Sequence, residues 1–168
     1  MGYKLQSITI QNLRHIPPEP SLTIDFSNLD LAIFAGPNGF GKSTVFDAIE
    51  LLLTGTLSRL DRDILNWGKV EDVVLVNKKD ANIVIKGDFL NQRAQTVLQV
   101  KRILDIQNNK QKLGIRANED GEFVQIADEC FFNLLGFSKH TFHLAVYISQ
   151  SQSLQFMTKK YKDRKQQL

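Results

Sequence analysis

The chain has 168 residues and a mass of 19.1 kDa, the size of one ordinary domain. Hydrophobic residues make up 42% and charged residues 23%, which excludes a disordered or fibrous chain. The formal charge is +3, yet Lys159, Lys160, Lys162, Arg164 and Lys165 against Asp163 place +4 in the last ten residues. The rest of the chain is therefore close to neutral, and the pI of 9.0 reflects the tail rather than a basic face.

A chain this long buries about 70% of its unfolded surface and needs no covalent staple. The lone Cys130 cannot form an intrachain disulfide. The longest purely apolar runs, 31–35 and 144–148, have five residues each, against the ~20 that span a bilayer. The first residues carry no long apolar stretch of the signal-peptide type. No membrane partner and a cytoplasmic location are expected.

The predicted elements begin with two half-buried strands. Ile8 and Ile10 alternate with Ser7, Thr9 and Gln11, and Leu22, Ile24 and Phe26 alternate with Thr23 and Asp25. Pro17, Pro18 and Pro20 separate them, because proline has no place in a helix interior or an inner strand. The run 31–35 is apolar without alternation, which predicts a strand buried on both faces, as in a parallel sheet. Val45, Ala48, Ile49, Leu52 and Leu53 then recur at helix spacing, and Gly55 is a natural helix stop.

The middle of the chain is β-rich. Residues 73–76, 83–85 and 97–100 are three strand candidates with polar turns between them. Residues 106–121 read as a loop or hairpin end. Phe123, Ile126, Ala127, Cys130, Phe131, Leu134 and Leu135 fit one face of a helix that ends at Gly136. A strand is expected over 144–148 and a polar helix from about residue 158. The chain shows no internal repeat.

The main chemical signal is Gly36-Pro37-Asn38-Gly39-Phe40-Gly41-Lys42-Ser43-Thr44, a full match to G-x-x-x-x-G-K-[ST] between a predicted strand and a predicted helix. Glycines let the backbone turn its N–H groups inward onto phosphate oxygens. The new helix adds its positive dipole end. Lys42 supplies a full charge for the β- and γ-phosphates, and the Ser43 hydroxyl can ligate Mg²⁺. Asn77-Lys78-Lys79-Asp80 has the letters of a guanine-reading motif. It falls between two strand candidates, where a hairpin turn explains it, and no Asp-x-x-Gly accompanies it.

These residues resemble the N-terminal ATPase segment of the SMC-like ATPases, the SMC, SbcC and RecF types of ABC ATPase. Residues 8–14 resemble the family's opening strand and its Asn-Phe-Arg turn. Residues 36–44 are similar to its G-x-N-G-x-G-K-S-[ST], and Val45-Phe46-Asp47-Ala48-Ile49 to its next helix. Phe142 to Gln150 resembles its Q-loop segment, with Ser151 where many members have Gly, so that Gln152 is a second candidate. Residues 161–165 resemble the entry to its coiled coil, placing a coiled-coil start at about 158–168.

The resemblance implies an α/β P-loop NTPase fold, an ABC/SMC-type head lobe with an antiparallel β-subdomain packed beside the phosphate-loop helix. It implies that ATP is held by Lys42 and the loop from Gly36 through Asn38, Gly39, Phe40, Gly41, Ser43 and Thr44. Mg²⁺ would be ligated by Ser43 and Gln150, with Gln150 also near the attacking water and so, with Lys42, catalytic. Arg14 would reach the nucleotide phosphates, and Arg59 and Arg62 are either DNA or partner contacts or surface ion-pair residues. Hydrolysis also needs acidic residues after an apolar strand. The nearest match, Val124-Gln125-Ile126-Ala127-Asp128-Glu129, is broken by Gln125 and fits a helix better. A Leu-Ser-Gly-Gly-like signature is missing too.

In the family those parts lie in a C-terminal lobe beyond a coiled coil. Residues 1–168 are therefore expected to be one N-terminal lobe, weak or inactive in hydrolysis alone. Its expected partners are the C-terminal lobe of the same protein, a second ATPase head, DNA and a possible nuclease. The roles implied are DNA repair, chromosome maintenance or phage defence. The alternatives are a stand-alone phosphate-loop nucleotide-binding module, a small kinase, or a transporter-type ABC subunit.

Overall fold

The computed structural model describes residues 2–57, 62–63, 75–117, 121–138 and 141–142. Strand β1 (Tyr3–Gln11) and strand β2 (Leu22–Asp25) are followed by helix α1 (Lys42–Thr54) and the short strands β3 (Thr56–Leu57) and β4 (Arg62–Asp63). Strands β5 (Ile83–Asn91), β6 (Thr96–Asp105), β7 (Lys110–Arg116) and β8 (Val124–Gln125) lead into helix α2 (Asp128–Leu135). Six strands form one sheet in the order β2-β1-β5-β6-β7-β8, and every described pair is antiparallel. β3 and β4 pair with each other.

Alternation sets the two faces of this sheet. Ile8, Ile10, Ile83, Ile85, Val100 and Leu104 are buried on one face. Helix α1 lies over that face, burying Ala48, Leu51 and Leu52 in the same core. Gly87 makes the close approach possible. A β-carbon built there would stand 2.6 Å from Leu52 Cδ2, inside any tolerable contact. Gly55 ends the helix in left-handed backbone, and its N–H donates to Leu51 O at 2.9 Å.

Arg102 joins three elements from inside the core, 1% exposed on β6. Its Nε donates to Leu52 O in α1 at 3.0 Å. One terminal nitrogen donates to Gln111 Oε1 in β7, and the other meets Asp128 Oδ1 at the start of α2 at 2.6 Å. A buried guanidinium persists because each of its three nitrogens has an acceptor.

Three sequence expectations change. Residues 31–35 form no strand, and Leu31 and Ile33 are 75% and 79% exposed. A strand needs a neighbouring backbone to satisfy its ladder, and no described strand flanks this run. Residues 106–121 are not a loop throughout. Residues 106–109 turn, and β7 then pairs with β6 from Lys110, with Lys110 and Lys112 exposed and Gln111 reaching the buried Arg102. The helix expected from Phe123 begins at Asp128, because Val124 and Gln125 pair with Ile115 and Gly114 instead.

Residues 77–80 form a turn before β5, but Val76 bridges to Leu13 rather than pairing with β5, so no hairpin with β5 is formed by the described residues there. The expected strand over 144–148, residues 73–74, Gln150, Gln152, the side chains of Arg59 and Arg62, and the tail from 158 lie outside the described residues. Among the described residues no helix is long and apolar enough to cross a membrane.

Candidate functional site

The residues from Gly36 to Gly41 run without regular structure into α1. Gly39 and Gly41 take φ of 89° and 85°, backbone that side chains rarely adopt, so the loop can coil tightly only with glycine there. Lys42 Nζ donates to Gly36 O at 2.6 Å and Pro37 O at 2.7 Å, closing the loop around its own ammonium group. Gly41 caps the helix without a side-chain hydrogen bond, and no acidic residue lies in the first turn. The positive end of α1 is thus left for an anion rather than filled by the protein.

Ser43 is exposed beside this opening and Thr44 is buried beneath it. Thr44 N–H donates to Gly41 O at 2.9 Å, which tightens the first turn. Phe40 is 75% exposed at the crest of the loop. Asn38 and Gly39 are exposed with it. All the sequence-predicted phosphate residues, Gly36 through Thr44, therefore surround one helix N-terminus. The chain's own residues fit a phosphate group there: a cation, uncapped N–H groups and no opposing acid. Ser43 offers one oxygen for Mg²⁺. Among the described residues no cluster of three or more His, Cys, Asp or Glu side chains could hold a metal.

Arg14 sits at the same helix by a different route. The turn after β1 carries Asn12 and Arg14 in left-handed backbone, φ 57° and 54°, a conformation that costs about 1 kcal/mol per residue. Asn12, fully buried, compensates through Nδ2 bonds to Lys78 O and Ala81 O and an Oδ1 bond from Lys78 N–H. Arg14 N–H donates to Leu75 O at 2.7 Å, and Asn77 Nδ2 donates to Arg14 O. The Arg14 guanidinium meets Asp47 Oδ2 at 2.6 Å, with Asp47 1% exposed on α1. Asp47 lies four residues after Ser43, on the same helix side. Arg14 is thereby brought to the phosphate helix but is engaged by a carboxylate.

Two features of the site were not singled out in the sequence. Asp47 anchors Arg14, which its place in the helix pattern did not disclose. His15 lies against Gly41, with a β-carbon built on Gly41 standing 2.5 Å from His15 Cε1. Nothing but its position beside Arg14 could have marked it. The Asp128-Glu129 pair, the weak match to a catalytic acid strand, opens α2, with Asp128 bound to Arg102.

A family model described as "AAA domain" matches residues 7–168. The chain belongs to this AAA domain family. Its β-rich sheet with the loop-borne helix is also a fold already solved. Among 31 matching solved chains is one described as "Structural biochemistry of ATP-driven dimerization and DNA stimulated activation of SMC ATPases". It is similar at a TM-score of 0.72 and 14% identity, over 97% of this chain and 96% of that one. That likeness establishes the fold, the α/β architecture of an SMC ATPase head. No curated protein matches the AAA domain chain in sequence. The chain is thus an AAA domain by family, with the fold of an SMC ATPase head.

Proposed function

We propose that the chain is the ATP-binding half of an SMC-like ATPase head. It would act by nucleotide-driven head dimerisation in DNA repair, chromosome maintenance or phage defence. The observation that carries this reading is the uncapped start of α1, closed over by Lys42 and free of acids. Lys42 supplies the counter-charge to the β- and γ-phosphates once it leaves Gly36 O and Pro37 O. The loop N–H groups cradle the remaining phosphate oxygens, and Ser43 Oγ, with Gln150, ligates Mg²⁺. The ion would neutralise charge developing on the phosphates. Arg14, freed from Asp47, would add a phosphate contact.

A C-terminal lobe as partner is supported by residues 31–35. Leu31 and Ile33 are exposed apolar residues immediately before the phosphate loop, as an edge awaiting a neighbouring strand would be. DNA as partner is supported by the outer face of the sheet. Lys86 and Lys101 stand directly opposite each other on β5 and β6, an unfavourable pairing without an anion. Arg116 joins Lys86 around a cavity of about 250 Å³ on that face, which Asp88 also lines, and Lys101 and Arg116 both lie over the Phe123 ring, so three cations face one acid. The sequence average had hidden this local excess of positive charge. A second head and a nuclease remain partners by family resemblance.

The deciding experiment is calorimetric titration of the chain with Mg-ATP, beside a steady-state hydrolysis assay. ATP binds with little turnover, and Lys42→Ala weakens binding at least about tenfold, as expected for a lost charged hydrogen bond. Failure of the parent to bind ATP overturns the reading. Robust turnover by the chain alone, lost in Lys42→Ala, overturns the division into two lobes.

A further inference from the structure

The exposed imidazole of His15 reaches the phosphate loop from outside its sequence. Its Nε2 and Cε1 occupy the space where any side chain at Gly41 would begin. Gly41 is also the residue whose left-handed backbone opens α1. The ring therefore stands at the helix end that the protein leaves uncapped. Among the described residues, the imidazole has no hydrogen-bond or ion-pair partner.

His15 is also held firmly in place. Leu13 and Ile16 on either side are 0% and 4% exposed, and Ile16 N–H donates to Leu13 O at 3.0 Å. The strained turn that presents it is clamped by Asn12 and by the segment from Leu75 to Ala81. A polar ring, pinned by a buried turn and left without a partner beside an anion cradle, is arranged as a donor to that anion.

We propose that His15 is a nucleotide-contacting residue whose ring N–H donates to an α- or β-phosphate oxygen held above Gly41. The proposal rests on the phosphate-loop reading of residues 36–44 and adds a ligand group that the loop motif does not contain. Because loop amides cradle the α- and β-phosphates, the contact serves ADP as well as ATP. Lys42, which reaches further along the chain of phosphates, distinguishes the two.

The test uses the full chain with Mg-ATP and Mg-ADP, comparing His15→Ala, His15→Phe and His15→Gln by calorimetry. Phenylalanine keeps a ring against Gly41 without an N–H, and glutamine keeps an N–H without a ring. Alanine and phenylalanine each weaken both nucleotides about tenfold, whereas glutamine stays within about threefold of the parent. Melting curves establish which variants fold, and the Phe and Gln pair still decides the question if alanine does not. Unchanged affinity in His15→Phe, or equal loss in Phe and Gln, overturns the contact and leaves His15 a packing group. Lys42→Ala, run in parallel, separates the two readings. If Lys42→Ala loses ATP while His15→Phe does not, only the His15 proposal falls. If the parent binds neither nucleotide, both fall.

Discussion

Arg102 and Asp128 are 26 positions apart in sequence and meet at 2.6 Å, Arg102 buried and Asp128 38% exposed on its side chain. The pair ties the start of α2 to the middle of the sheet, and the same guanidinium holds Leu52 O near the end of the phosphate helix. Removing Arg102 strands the acceptors on Leu52 and Gln111, whereas Asp128 can still turn to water. Arg102→Met is therefore expected to cost about 3 kcal/mol and Asp128→Asn about 1 kcal/mol. Denaturant unfolding of both singles and the double variant measures this. The double variant should lose less than the sum, because each single change already removes the shared bond.

Gly41 is fixed by backbone and by neighbour at once. Gly41→Ala places a methyl group in the His15 ring and an L side chain at φ 85°. ATP affinity is expected to fall by about five- to thirtyfold, from strain of roughly 1–2 kcal/mol in the loop. Adding His15→Ala to Gly41→Ala relieves the collision but leaves the strained φ and also removes the proposed His15 contact to phosphate. Titration of the double variant with Mg-ATP should therefore show no return to parental affinity.

Gly87 tests the packing of the phosphate helix on the sheet. Gly87→Val drives a side chain into Leu52 Cδ2 and pushes α1 from its seat. A loss of about 1–3 kcal/mol in chemical denaturation is expected, as for other overpacked cores. A loss under 0.5 kcal/mol would mean that the helix can shift freely.

Leu31 and Ile33 make the opposite prediction. Both are exposed, so Leu31→Glu and Ile33→Glu should leave the stability of this chain within about 0.5 kcal/mol. Co-purification with a C-terminal lobe should fail in both, if the run is that lobe's partner strand. Strong destabilisation of the chain alone would show that the run is already buried within it.

The Asp105 carboxyl is held below its ordinary value of 3.8 by the Asn108 side chain and then by the Asn108 backbone N–H, which fix the turn between β6 and β7. A depressed carboxyl stabilises the folded state above its ordinary pKa, and that contribution is lost as pH falls through the lowered folded value. The loss therefore lies below pH 3.8. Carbon-13 NMR titration of Asp105 should show the low midpoint, and Asn108→Ala should raise it. An unchanged midpoint would rule out Asn108 as the cause.

Local physics made much of this molecule legible from its residues. The alternation of Ile8 and Ile10, the helix spacing from Val45 to Leu53, and the glycines of the phosphate loop each express a steric rule acting within a few positions. The match of Gly36 to Thr44 likewise required only neighbours in sequence. Residues 31–35 misled because an apolar run reports the wish for burial, not the presence of a partner strand. β7 was hidden because its half-polar face imitates a loop, and β8 because two residues cannot establish a period.

What the sequence determined by itself was the glycine loop of residues 36–41 and the helix start behind it, since loop curvature and helix start are set by bonds between adjacent residues. The tertiary structure alone decided which distant groups surround it. Asp47 against Arg14 and His15 against Gly41 join residues about 26 to 33 positions apart. The packing of a helix onto a twisted sheet chooses those neighbours, because contact across a core follows the fold of the whole chain and no short-range rule encodes it.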